Sequence, residues 1–135
     1  MGNIIDLNFI NDSNFKKILE RDLLELGIAL ENNAYKSVLI LSGSILEAIL
    51  VIYLTEKKKL EQLEKKNLNE LIEMSYKEGL IDETTKNISS VIKDYRNLIH
   101  PGKETRNLNY LIDKEHSNIA NSLLIIILNL SLIHI

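Results

Sequence analysis

Between Val38 and Leu54 the chain runs for 17 residues that are apolar on nearly every side of a helix. Only Ser42, Gly43, Ser44 and Glu47 interrupt the run. A helix without a polar face needs cover on several sides, from other helices of its chain or from another subunit. The competing reading is a membrane span. Seventeen residues fall short of the ~20 that cross a bilayer, and Glu47 would set a carboxylate near its centre. A second apolar run, Ile119 to Ile135, carries Asn121, Ser122, Asn129, Ser131 and His134 and fails the same test. Both runs are read as buried helices of a soluble protein with no membrane partner.

The rest of the chain is built to let helices run. One proline and five glycines in 135 residues leave little turn punctuation, which argues against an all-β fold. The length suits a single domain over residues 1–135 with a modest core of its own. With no cysteine there are no disulfides and no thiolate metal sites, as in a reducing cytoplasm. Residues 1–9 lack the basic-then-apolar pattern of a signal peptide, so a cytoplasmic location is expected. A net charge of −3 gives no global pull toward nucleic acid, so any RNA contact must come from a local patch.

Read along its length, the chain predicts four long helices and one short one, packed as an antiparallel all-α bundle. Asp12 or Ser13 caps a first helix to about Glu31, with Phe15, Ile18, Leu19, Leu23, Leu26 and Leu30 as its apolar stripe. Asn32 and Asn33 break it. A second helix runs from about Ala34 to Lys58, and its glycine, Gly43, suggests close helix approach. The lysine-rich stretch 57–66, interspersed with glutamates, reads as a solvated helix end or loop rather than an RNA-binding segment. A short third helix spans about Asn67 to Lys77 and stops at Gly79. Asp82 caps a fourth that reaches His100, and a last helix spans about Asp113 to Leu132.

Chemistry concentrates at the end of the fourth helix, in Tyr95-Arg96-Asn97-Leu98-Ile99-His100-Pro101-Gly102. With about 100° per residue and His100 at zero, Arg96 lies at about −40°, Lys93 at about +20° and Asn97 at about +60°. Ile88, Val91, Ile92, Tyr95, Leu98 and Ile99 fill the remaining arc as the core face. Arg96 borders that face, where its stem can pack while the guanidinium reaches out. Pro101 disfavours helical geometry at His100, which places the imidazole at a helix C-terminus, an end that favours cations. An arginine binds a phosphate oxygen and a histidine moves a proton, so the pair suits phosphate chemistry. The plainer alternative is a histidine that caps carbonyls and an arginine that pairs with a carboxylate.

At these residues the chain resembles the HEPN superfamily. These are all-α domains marked by an arginine, usually followed by a polar residue such as asparagine, and a histidine after four to six intervening residues. Arg96-Asn97 and His100-Pro101-Gly102 carry the resemblance, with Gly43-Ser44-Ile45-Leu46-Glu47-Ala48, Asn69 to Met74 and Gly79-Leu80-Ile81. It extends from Ala34 to the C-terminus. Three residues separate Arg96 from His100, one fewer than the usual minimum, and Gly102 stands where some toxins of the superfamily carry a modifiable tyrosine. The resemblance implies a homodimer that cleaves RNA without a metal or other cofactor. Arg96 would stabilise the phosphate, Asn97 would orient it, and His100 would act as general acid or base. With one His100 from each subunit, a neutral imidazole accepts the 2′-hydroxyl proton while a protonated one donates to the leaving oxygen. The products would be a 2′,3′-cyclic phosphate and a 5′-hydroxyl. The setting implied is a prokaryotic defence, toxin–antitoxin or stress system, with RNA and a partner or antitoxin protein as binding partners. Inactive members bind RNA, a nucleotide or a protein, or serve only to dimerise, and that alternative stays open.

Two further groups complete the expected site. Glu47, a carboxylate in an apolar helix, is read as a group that orients Arg96 or His100, or else as one satisfied by Ser44, a lysine or water. Lys93, Lys103 and Arg106 supply a cationic lip for RNA. Arg21-Asp22 is read as solvated, and His116 and His134 as structural.

Overall fold

The computed structural model describes residues 10–97 and a set of helical positions between 115 and 125. Among the described residues the protein is all-α. Its elements are α1 (Ser13–Glu31), α2 (Tyr35–Lys58), a 3-10 turn (Leu63–Lys65), α3 (Leu68–Lys77) and α4 (Glu83–Asn97). Glu115, His116, Asn118, Ile119, Asn121, Ser122 and Ile125 are helical and fall inside the expected last helix.

Local chemistry explains the boundaries. Asp12 caps α1, its Oδ1 accepting the amides of Asn14 and Phe15 at 2.9 and 3.3 Å. Asn33 closes the turn to α2 at φ 57°, a left-handed geometry that asparagine tolerates. Asn67 and Glu70 form a reciprocal capping box at the start of α3: Asn67 Oδ1 accepts the Glu70 amide at 2.8 Å and Glu70 Oε1 accepts the Asn67 amide at 3.4 Å. Gly79 ends α3 at φ 75°, which lets the Leu80 amide reach back to the Ser75 carbonyl at 2.9 Å. Asp82 then caps α4 through the Thr85 amide at 2.7 Å. Because α3 has only 10 residues, its cap matters. Asn67→Ala is expected to cost about 1 kcal/mol in urea unfolding and to speed amide exchange in the first turn of α3.

α2 is the hub. It packs on α1, α3 and α4, while α3 also packs on α4. Length and composition alone would let α2 cross a membrane, yet here it lies among three helices as the core element. Ile45, Leu46, Ile49, Leu50 and Leu54 are fully buried on it, facing Leu19 and Leu26 of α1, Leu71 and Ile72 of α3 and Ile92 of α4 in one continuous core. Ser42, Ser75 and Ser89 are also fully buried, one each on α2, α3 and α4, small enough to let helices close up.

Three side chains depart from the expected faces. Asp22 is buried, while its neighbour Arg21 is exposed and folds back on it, with Nε and Nη2 at 3.1 and 3.0 Å from Oδ1. The solvated reading of this pair therefore fails for Asp22. The inward stripe of α1 is Leu19, Asp22, Leu26 and Ala29, and its three-to-four spacing carries the aspartate inward. Ile18 is exposed instead, one residue off that stripe, and Val91 is exposed on α4. The stretch 57–66 is not wholly solvated either, because Leu63 is buried and Leu60 packs against the core.

Candidate functional site

Arg96 sits in the last described turn of α4, and its side chain crosses to α2. The landing place is built from Gly43 and Glu47, four residues apart and therefore on one face of α2. Nη1 of Arg96 donates to Oε2 of Glu47 at 2.9 Å. The stem passes so close to Gly43 that a Cβ there would overlap Arg96 Cδ and lie 3.1 Å from both Cγ and Nε. The close approach expected at Gly43 is thus made by a side chain, not by the backbone of another helix.

About a third of each partner's side chain stays exposed, 33% for Arg96 and 36% for Glu47. This decides two things. An ion pair so open to water contributes only about 0–1 kcal/mol to stability. A guanidinium has five donors, and the bond to Glu47 uses one of them, with about a third of the side chain exposed among the described residues. Of the readings open for Glu47, the structure supplies a pairing with Arg96. We expect Glu47→Gln to change unfolding free energy by less than about 1 kcal/mol in a urea titration.

Two lysines of α4 point elsewhere. Lys93 turns toward α3, where Nζ donates to Asn69 Oδ1 at 3.2 Å, and it lies 3.7 Å from Asp94 Oδ1. Farther back, Lys86 bridges α4 to α3, with Nζ 3.4 Å from Glu73 Oε2 and 4.5 Å from the Tyr76 ring centre. Asn97 is exposed. His100, Lys103 and Arg106 lie outside the described residues. The structure therefore brings together Arg96 and Glu47 of the expected set, adds Gly43 beneath them, and holds Lys93 on a different helix pair.

Gly43 is the group that sequence reasoning did not attach to the site. The signal was present in the Gly43–Glu47 spacing, which puts an open position and a carboxylate on one face. What the spacing could not reveal is which side chain occupies the gap. Comparison with protein-family models, with curated proteins and with solved structures gives no match to this chain.

Proposed function

We propose that this chain is a HEPN-like helical bundle that acts as a homodimer and cleaves RNA without a metal ion, in a prokaryotic defence, toxin–antitoxin or stress system. The observation that carries the reading is Arg96 itself. It stands in the last described turn of α4, with its stem passing over Gly43, Nη1 tied to Glu47 and about a third of its side chain exposed. A preorganised arginine of this kind binds a phosphate without first having to be ordered. His100, four residues on, supplies the proton-transferring group. Its imidazole takes the proton of the 2′-hydroxyl, whose oxygen attacks the adjacent phosphorus. The P–O5′ bond breaks, and the departing oxygen takes a proton from the His100 imidazolium of the second subunit.

The direct test is end analysis of labelled single-stranded RNA incubated with the protein in EDTA. Products with 2′,3′-cyclic phosphate and 5′-hydroxyl ends are expected. Products with 3′-hydroxyl ends, or no cleavage at any protein concentration, would count against it. Sedimentation should show a dimer under the same conditions.

A second reading is favoured by one feature, the Arg96–Glu47 pair. An arginine already engaged by a carboxylate can serve helix packing alone. In that case the chain is an inactive module of the same fold, binding RNA, a nucleotide or a partner protein, or a structural dimerisation unit. RNA that binds in a salt-dependent way but is not cut would favour it.

A further inference from the structure

We propose that Gly43 is a positioning residue for Arg96, and that its missing side chain is what allows the guanidinium to be aimed. The geometry rests on the described residues alone; only its consequence for RNA rests on the nuclease reading above.

Glycine inside a helix is a poor choice on propensity, and alanine at the same position stabilises a helix unless something stands in the way. Gly43 lies in the middle of the 24-residue α2, a buried position with ordinary helical geometry and no turn to make. Positive φ does not explain it, since the described glycine with a left-handed backbone is Gly79. The other helical glycine among the described residues, Gly27, has open space where a Cβ would go. At Gly43 the space is taken, and all three of the nearest atoms belong to Arg96: Cδ, Cγ and Nε. No backbone atom is among them. The nearest obstruction is the stem of one side chain, so a methyl group at 43 would first push Arg96 aside.

That asymmetry gives Gly43 a distinctive signature. Displacing the stem lifts Nη1 away from Glu47 Oε2, so the pair opens and the guanidinium loses both of its supports. The fold loses little, because the ion pair is about a third exposed and alanine improves α2. Gly43→Ala should therefore damage the aim of Arg96 without damaging the protein. A residue conserving only the packing of helices would show the reverse.

The experiment is a double-mutant cycle on the full chain, comparing wild type, Gly43→Ala, Arg96→Ala and Gly43→Ala/Arg96→Ala. Removing the arginine stem empties the space, so Gly43→Ala should then raise the melting temperature by the full helix-propensity gain, roughly 3–5 °C for a domain of this size. In the presence of Arg96 the gain should be smaller or absent. A second readout follows Arg96 directly. The chain has three arginines, Arg21, Arg96 and Arg106, so the arginine Nε–Hε region of an NMR spectrum is sparse, and Arg96→Lys assigns the signal. Gly43→Ala and Glu47→Gln should each move the Arg96 signal toward that of a free arginine. RNA cleavage, where wild type shows it, should fall about 10²-fold in Gly43→Ala. If wild type does not cut RNA but the cycle and the NMR signal respond as stated, the positioning role stands and the nuclease reading fails. An equal melting shift in both backgrounds, with the Arg96 signal unmoved by Gly43→Ala, overturns the proposal.

Discussion

Arg96→Ala is expected to lower the rate of RNA cleavage by about 10²–10³, the usual cost of removing one preorganised donor from a developing phosphate charge. Stability should hardly move, since the variant loses only a partly exposed ion pair of about 0–1 kcal/mol. Arg96→Lys should not restore the rate. A lysine keeps the charge but has one ammonium where the arginine has a planar fork, so it cannot hold Glu47 and a phosphate through separate edges. Initial rates under single-turnover conditions, beside urea unfolding of the same preparations, check both halves of this expectation.

The largest stability effect should come from α2. Leu46→Ala is expected to destabilise the fold by about 2–5 kcal/mol, because a fully buried leucine leaves a cavity that the surrounding helices close only in part. Leu46 shares its helix with Glu47, so the two positions separate core from site within one residue. Glu47, partly exposed and paired with Arg96, is expected to cost under about 1 kcal/mol on removal of its charge, and Leu46, which faces the core, several times more. Chemical denaturation read by circular dichroism decides this, and equal costs at the two positions would mean that α2 is not the core helix described.

Much of the helical layout was readable from residue chemistry. Asp12, Asn67 and Asp82 each announce a helix start because a short polar side chain can reach an unpaired amide, and each does so. Gly79 announces a stop because the turn after α3 needs a left-handed residue. The facing of α2 was not readable. A helix apolar nearly all round has no polar side to orient it, so nothing in its pattern says which residues meet α4. The pairing of Arg96 with Glu47 stood as one of several readings for that reason, and the role of Gly43 beneath the arginine did not emerge. Asp22 shows a different difficulty. Its charge suggested solvent, whereas its place on the Leu19–Leu26 stripe carries it inward. Here periodicity was the better guide than residue type.

The candidate site was legible as a polar face on α4, less so as a set of contacts. Helical spacing placed Lys93 and Arg96 about 60° apart, and the structure sends them to different neighbours, Asn69 of α3 and Glu47 of α2. An angle of that size on one helix is enough to split two cations between two helix interfaces. Lys93 is therefore engaged by Asn69, whereas Arg96 pairs with Glu47 and leaves about a third of its side chain exposed.

Under the proposed function, Arg96 and His100 act as one unit on the phosphate. The measurement that addresses it most directly is the single-turnover rate of RNA cleavage in EDTA for wild type, Arg96→Ala, His100→Ala and the double variant. Groups that work together are strongly non-additive, so the double variant should be about as slow as the slower single variant. Wild-type rates in both single variants would contradict the account.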